Sequence, residues 1–120
     1  MLSILHIGLP LQPPWLTVDE GREIATRLAS IRSSMEAAGY RYEVFHASPD
    51  EGLDGFRDRL RRESVDAVII GGGVASNPDL SPFKQQIYDA AHDEAPAAKV
   101  LEFSHAVEVK ALVERAFGII

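Results

Sequence analysis

Short apolar runs alternate along the chain with segments whose apolar residues recur every three or four positions. Leu2 to Ile7 is apolar and closed by Gly8, the pattern of a buried strand. Pro10, Pro13 and Pro14 then impose a loop, since proline has no amide donor. Thr17-Val18-Asp19-Glu20 reads as a capping box, and the helix it opens sets Ile24, Leu28, Ile31 and Met35 on one face, with Gly39 as its stop. Tyr40 to Ala47 alternates polar and apolar positions, which predicts a more exposed strand at a sheet edge. Ser48-Pro49-Asp50-Glu51 predicts a second capping box. Its helix buries Leu53, Phe56 and Leu60 and is weakened by about 1 kcal/mol at each of Gly52 and Gly55.

Val65 to Ile70 is the most apolar strand and is expected at the centre of the sheet. Gly71-Gly72-Gly73 closes it, and a polar loop runs on to Leu80. Ser81-Pro82 predicts a third helix burying Phe83, Ile87 and Ala90 or Ala91. Lys99 to Phe103 is a fourth strand. Ser104 is the predicted cap of a last helix through Phe117 that buries Val107, Ala111, Leu112 and Phe117.

The order βαβαβαβα over residues 1–120 predicts one α/β domain with three layers, α/β/α, around a four-stranded parallel sheet. Right-handed crossovers leave 2-1-3-4 as the simplest strand order. At the level of fold alone this layout resembles the small flavodoxin-like and Rossmann-like domains. The residues that mark particular members are missing. Gly8-Leu9 and Gly71-Gly72-Gly73 stand where receiver domains carry acidic residues, and the Leu9 to Pro14 loop lacks the hydroxyls with which flavodoxins hold the flavin phosphate. No cysteine follows strand one, as it would in the B components of sugar phosphotransferases, and no dinucleotide-type glycine motif follows it either.

Composition narrows the class of partner. The 120 residues carry a formal charge of −6 at pH 7, which argues against nucleic acid and anionic membrane surfaces as partners. The absence of cysteine removes disulfides, thiolate nucleophiles and thiolate metal sites. With no basic, apolar leader at the N-terminus, the expected location is the cytoplasm.

Ligands of open α/β sheets bind beyond the carboxyl ends of the strands where the strand order reverses. Here that point lies between strands one and three, and the two longest connections, Gly8 to Leu16 and Gly71 to Leu80, meet there. Gly8, Gly71, Gly72, Gly73, Ser76, Asn77, Ser81 and Ser104 are therefore the expected ligand-binding residues. The glycines are expected to supply positive φ, and the helix start near Asp79 to Ser81 to supply free amides for a small anionic or nucleotide-like ligand. His105 is the one acid–base candidate there. His6 reads either as a base near the crevice or as a hydrogen-bonded core residue, His46 as its neighbour on the next strand, and His92 as a surface residue. The four histidines lack metal-ligand spacing, so no metal is expected, and no cofactor or reaction is identified. Trp15 either lids the crevice or anchors its loop. The arginine run Arg57 to Arg62 is interspersed with carboxylates and reads as a helix surface laced with ion pairs.

A second function stays open, a protein-interaction or regulatory module without a ligand, in which the two long loops form a protein-binding surface. Strand four is an uncovered edge, and the chain ends Phe117-Gly118-Ile119-Ile120 without a charged tail. These point to a homodimer, or to isoleucines that pack back on their own subunit.

Overall fold

Strand pairing in the computed structural model, which describes residues 2–11, 14–103 and 108–119, gives one four-stranded parallel sheet in the order β2-β1-β3-β4. The strands are β1 (Ser3–Gly8), β2 (Arg41–His46), β3 (Ala67–Ile70) and β4 (Lys99–Glu102). The helices are α1 (Val18–Ala37), α2 (Asp54–Arg62), α3 (Gly72–Ala75), α4 (Ser81–Glu94) and α5 (Val109–Ala116), with a 3-10 turn at Pro78–Leu80. This is the three-layer α/β/α arrangement of a flavodoxin-like sheet.

The alternation of side chains along the two central strands sorts the core into halves. Leu5, Ile7, Val68 and Ile70 face α2, α3 and α4, where they meet Phe56, Leu60, Val74, Phe83 and Ile87. Ile4, Ala67 and Ile69 face the other way, against Met35 of α1 and Val109 and Val113 of α5. All four residues of β3 are buried, and burying each large aliphatic side chain there contributes about 1.5–3 kcal/mol. β2 and β4 are the edges and show mixed burial. At the amino end of the sheet Asp66 joins three strands: its carboxylate accepts the Ser3 amide at 2.7 Å, its amide donates to Ser3 O at 2.8 Å, and its carbonyl accepts from Lys99 at 3.0 Å.

The first helix follows the expected pattern. Thr17 Oγ1 accepts the Glu20 amide at 3.1 Å, Glu20 Oε1 accepts the Thr17 amide at 3.0 Å, and Gly39 leaves the helix at φ +87°. The second expected helix start is overturned. Ser48 to Glu51 form a turn in which Ser48 O accepts from Glu51 and Gly52, and Gly52 at φ +75° takes the chain out of the helical region. α2 opens two residues later, so Gly52 ends the turn and does not weaken the helix. Phe56 and Leu60 are buried from α2, and Leu53 from the residue before it.

α4 buries Phe83, Ile87, Ala90 and Ala91 as expected, but Ser81 is its first residue and no side chain caps it. α5 turns a different face inward than expected. Val109 and Val113 are buried, while Ala111, Leu112 and Phe117 are half-buried. Val107 and the expected cap Ser104 lie outside the described residues. The arginines of α2 are held by carboxylates from other elements as well as their own. Arg57 reaches Asp93 at 3.0 Å, Arg61 reaches Glu94 at 2.7 Å, and Arg59 reaches Glu43 on β2 at 2.5 Å. No helix among the described residues is long and apolar enough to cross a membrane.

The proline loop is clamped at three points. Trp15 is half-buried against the α2/α3/α4 half of the core, so it anchors the loop, and Leu9 O takes a hydrogen bond from His46 at 3.2 Å. Gly21 on α1 meets the backbone of Leu11 so closely that a Cβ there would overlap its carbonyl oxygen. In an unobstructed helix, alanine exceeds glycine by about 1 kcal/mol. The overlap reverses that sign. Gly21→Ala is expected to destabilise the protein by about 1–3 kcal/mol, read by urea denaturation, because the obstacle is main chain and cannot rotate aside. A gain in stability would show that the loop does not lie against α1.

Candidate functional site

β1 and β3 reach their carboxyl ends side by side, with Ile7 paired to Ile70 and the Gly71 amide donating to Ile7 O at 2.8 Å. Gly8 and Gly71 follow, and between them no side chain intervenes. A Cβ on Gly71 would lie 3.2 Å from Ile7 O, 3.3 Å from His6 Nε2 and 3.4 Å from Gly8 Cα. Only glycine lets the two strand ends approach this closely without displacing the imidazole. On Gly8 the situation is opposite: among the described residues, nothing lies within 4 Å of where its Cβ would be.

The segment after β3 differs from the expected loop. None of Gly71, Gly72 and Gly73 has positive φ; that conformation belongs to Gly39, Gly52 and Gly118. The triple glycine instead enters a short helix, α3, with Gly71 as its N-cap at φ −59° and ψ 152°. Space, not handedness, is what Gly71 provides. The expected free amides at Asp79 to Ser81 are also overturned. Asn77 Oδ1 accepts from Asp79 at 3.0 Å, Asn77 O accepts from Leu80 at 3.0 Å, and Pro78 O accepts from Ser81. The amides without a partner inside a helix are instead those of the first turn of α3, at Gly72 and Gly73.

Gly8, Gly71 and Gly72 therefore gather at one place. Gly73 is exposed beside Leu9. Ser76 donates its hydroxyl to Gly72 O and Asn77 caps the 3-10 turn, so both side chains are occupied by local backbone. Ser81 is exposed at the start of α4. Ser104 and His105 lie outside the described residues.

The residues that sequence reasoning left out of the site are on the sheet itself. His6 is 4% exposed, and its Nδ1 lies 2.6 Å from the hydroxyl of Tyr42 on the neighbouring strand. The rings of Tyr42 and Phe103 both stand edge-on to it, with centroids 5.9 Å away. Nε2 is turned toward Gly71. No buried polar side-chain atom among the described residues lacks a hydrogen-bond partner. Nε2 has no such partner among the described residues, so the remaining exposure of His6 includes that nitrogen. Burial, with the neighbouring His46 adding to it, pulls His6 down to about 4, and the imidazole is neutral at pH 7. Burial likewise raises the Tyr42 phenol above its ordinary range, partly opposed by Arg32.

His46 faces Gly8 in the β1–β2 register and is exposed. A carbonyl oxygen only accepts, so the contact to Leu9 O places a proton on His46 Nδ1. The alternation Tyr42, Val44, His46 put this face within reach of sequence reasoning. The missing signal was the register, which no local pattern encodes. Comparison with protein-family models and with curated proteins gave no match.

Stability should record the buried neutral imidazole. In the unfolded chain His6 titrates near 6.5, and in the native protein near 4. Between these values the unfolded state binds more protons, so stability is retained above pH 6.5 and lost as pH falls toward 4, by about 3 kcal/mol at the limit. Urea unfolding of the parent and of His6→Gln at pH 7 and pH 4 isolates this contribution, and the variant should lack it. Equal losses in the two proteins would show that His6 is not buried as a neutral group.

Proposed function

We propose that this chain is a small-molecule-binding α/β domain whose ligand, small and anionic or nucleotide-like, sits beyond the carboxyl ends of β1 and β3 against Gly8, Gly71 and Gly72. The observation that carries this reading is the glycine seam: two strand ends joined by the 2.8 Å hydrogen bond from the Gly71 amide to Ile7 O, with no described residue within 4 Å of where a Gly8 Cβ would stand. Parallel sheets place ligands at this position because the chain reverses its strand order there and the flanking connections part. His46, its Nδ1 committed to Leu9 O, keeps Nε2 for a hydrogen bond to the ligand.

A screen by thermal shift against inorganic phosphate, nucleoside monophosphates and flavin mononucleotide tests the reading. A ligand at 100 times its dissociation constant adds about 2.7 kcal/mol. Gly8→Val supplies the control. Its side chain enters open space, so the fold should survive, yet it fills the room a ligand needs. Stabilisation of the parent and none of Gly8→Val is the expected result. No shift with any compound, or an equal shift in both proteins, would contradict it.

Ile119, 49% exposed beyond Gly118, favours a second reading as an interaction module that pairs with its own kind. Sedimentation velocity at high micromolar concentration would then show a dimer that Ile119→Asp dissolves, whereas a monomer throughout excludes it.

A further inference from the structure

We infer that His6 is a ligand-contacting residue, its Nε2–H held as an uncharged hydrogen-bond donor at the floor of the crevice by the hydroxyl of Tyr42, and that it receives an oxygen acceptor of the ligand, phosphoryl or carbonyl. The inference rests on the crevice reading above and assigns a role to a pair of side chains that the fold alone does not require.

A polar pair in this position carries a desolvation cost. β1 is a central strand buried on both faces, and every other side chain from Ile4 to Ile7 is aliphatic. An apolar residue at position 6 would pack there without desolvating an imidazole. Tyr42 likewise brings a hydroxyl into the α1/α5 half of the core. The two polar atoms satisfy each other, which explains why the pair is tolerated. It leaves unexplained why the second imidazole nitrogen is turned to the strand ends.

The tautomer follows from the contact. The 2.6 Å separation is shorter than the ordinary N–H···O range of about 2.7–3.2 Å and suits a hydroxyl that donates. Tyr42 remains a phenol at all ordinary pH, since burial raises it above its usual range. If it donates to Nδ1, the imidazole proton resides on Nε2. In the opposite tautomer Nδ1–H would donate to the phenol oxygen, and the phenol proton would have no acceptor among the described residues. Either arrangement leaves one donor without a partner among the described residues: the first leaves Nε2–H beside the strand ends, the second leaves the phenol proton in the core.

Nε2–H then points toward Gly71, where the missing side chain leaves the imidazole 3.3 Å from an imagined Cβ. With glycine at this position no side chain stands between His6 Nε2 and the strand ends. Among the described residues, His46 on β2 lowers the proton affinity of His6, Tyr42 is neutral, and Arg32 acts on the Tyr42 side of the pair. A neutral donor suits an acceptor oxygen and gives nothing to an ammonium or guanidinium group. Tyr42 acts through His6 and is a positioning residue.

The imidazole nitrogens of the intact protein, labelled with nitrogen-15 and observed by two-bond correlation NMR, report the tautomer directly. At pH 7 His6 should show the proton on Nε2. Adding adenosine monophosphate, or inorganic phosphate, should move its Nε2 resonance. Tyr42→Phe should give a mixture of tautomers and weaken adenosine monophosphate about tenfold, the worth of one hydrogen bond, while Gly8→Val abolishes binding outright. The inference is overturned if His6 carries its proton on Nδ1, or if adenosine monophosphate binds, is lost in Gly8→Val, and leaves the His6 nitrogens unmoved. That second result retains the crevice and removes only the donor. Absence of any binding removes both. Should Tyr42→Phe fail to fold, the tautomer and the ligand response of the parent protein still decide.

Discussion

Two central strands buried on both faces constrain everything else in this molecule. Neither β1 nor β3 can spare a polar atom without a partner, so the imidazole of His6 must find one across the sheet, and it finds the hydroxyl of Tyr42 at 2.6 Å. The same burial requires the chain to leave the sheet only at its ends. At the carboxyl end the two strands stay so close that a Cβ on the residue after Ile70 would press on Ile7 O, His6 Nε2 and Gly8 Cα. Glycine at position 71 suits that spacing.

The remaining architecture secures this arrangement from outside. On one face α2 and α4 pack Phe56, Leu60, Phe83 and Ile87 onto the central strands and are tied together by Arg57 and Arg61 with Asp93 and Glu94. These pairs are mostly exposed and contribute little each, so the packing carries the stability and the charges set the register of the two helices. At the edge, β4 is held by its own strand pairing and by Glu102, which takes hydrogen bonds from Tyr88 at 2.6 Å and Lys84 at 3.3 Å. The proline loop is held from three directions, by Trp15, by Gly21 and by His46.

Much of the fold was legible because it depends on local pattern. The apolar runs, the Thr17–Glu20 box, Gly39 and the periodicity of Phe83, Ile87 and Ala90 specify elements without reference to anything distant. Strand order followed from handedness and from the greater polarity of Tyr40 to Ala47. The misreadings occurred where a local signal met a tertiary contact. Ser48 to Glu51 has the letters of a capping box, but Gly52 turns the backbone before a helix can grow. Gly71 to Gly73 has the letters of a flexible loop, but close approach of the strand ends draws it straight into a short helix. Of the candidate site, Gly8, Gly71 and Gly72 could be placed from topology alone. The hydroxyls of Ser76 and the amide of Asn77 could not, because their use by local backbone is a matter of conformation. Tyr42 was invisible as a partner of His6 because 36 residues separate them and only the β1–β2 register joins them.

The central claim is that the glycine seam between β1 and β3 is where this protein meets its ligand. Backbone amide NMR of the uniformly labelled protein, titrated with adenosine monophosphate, tests it most directly. The account predicts that the perturbed amides cluster at residues 6–9, 46, 71–73 and 103, on both sides of the seam. Perturbations confined to the outer face of α1 or to the β4 edge, or none at saturating ligand, would contradict it.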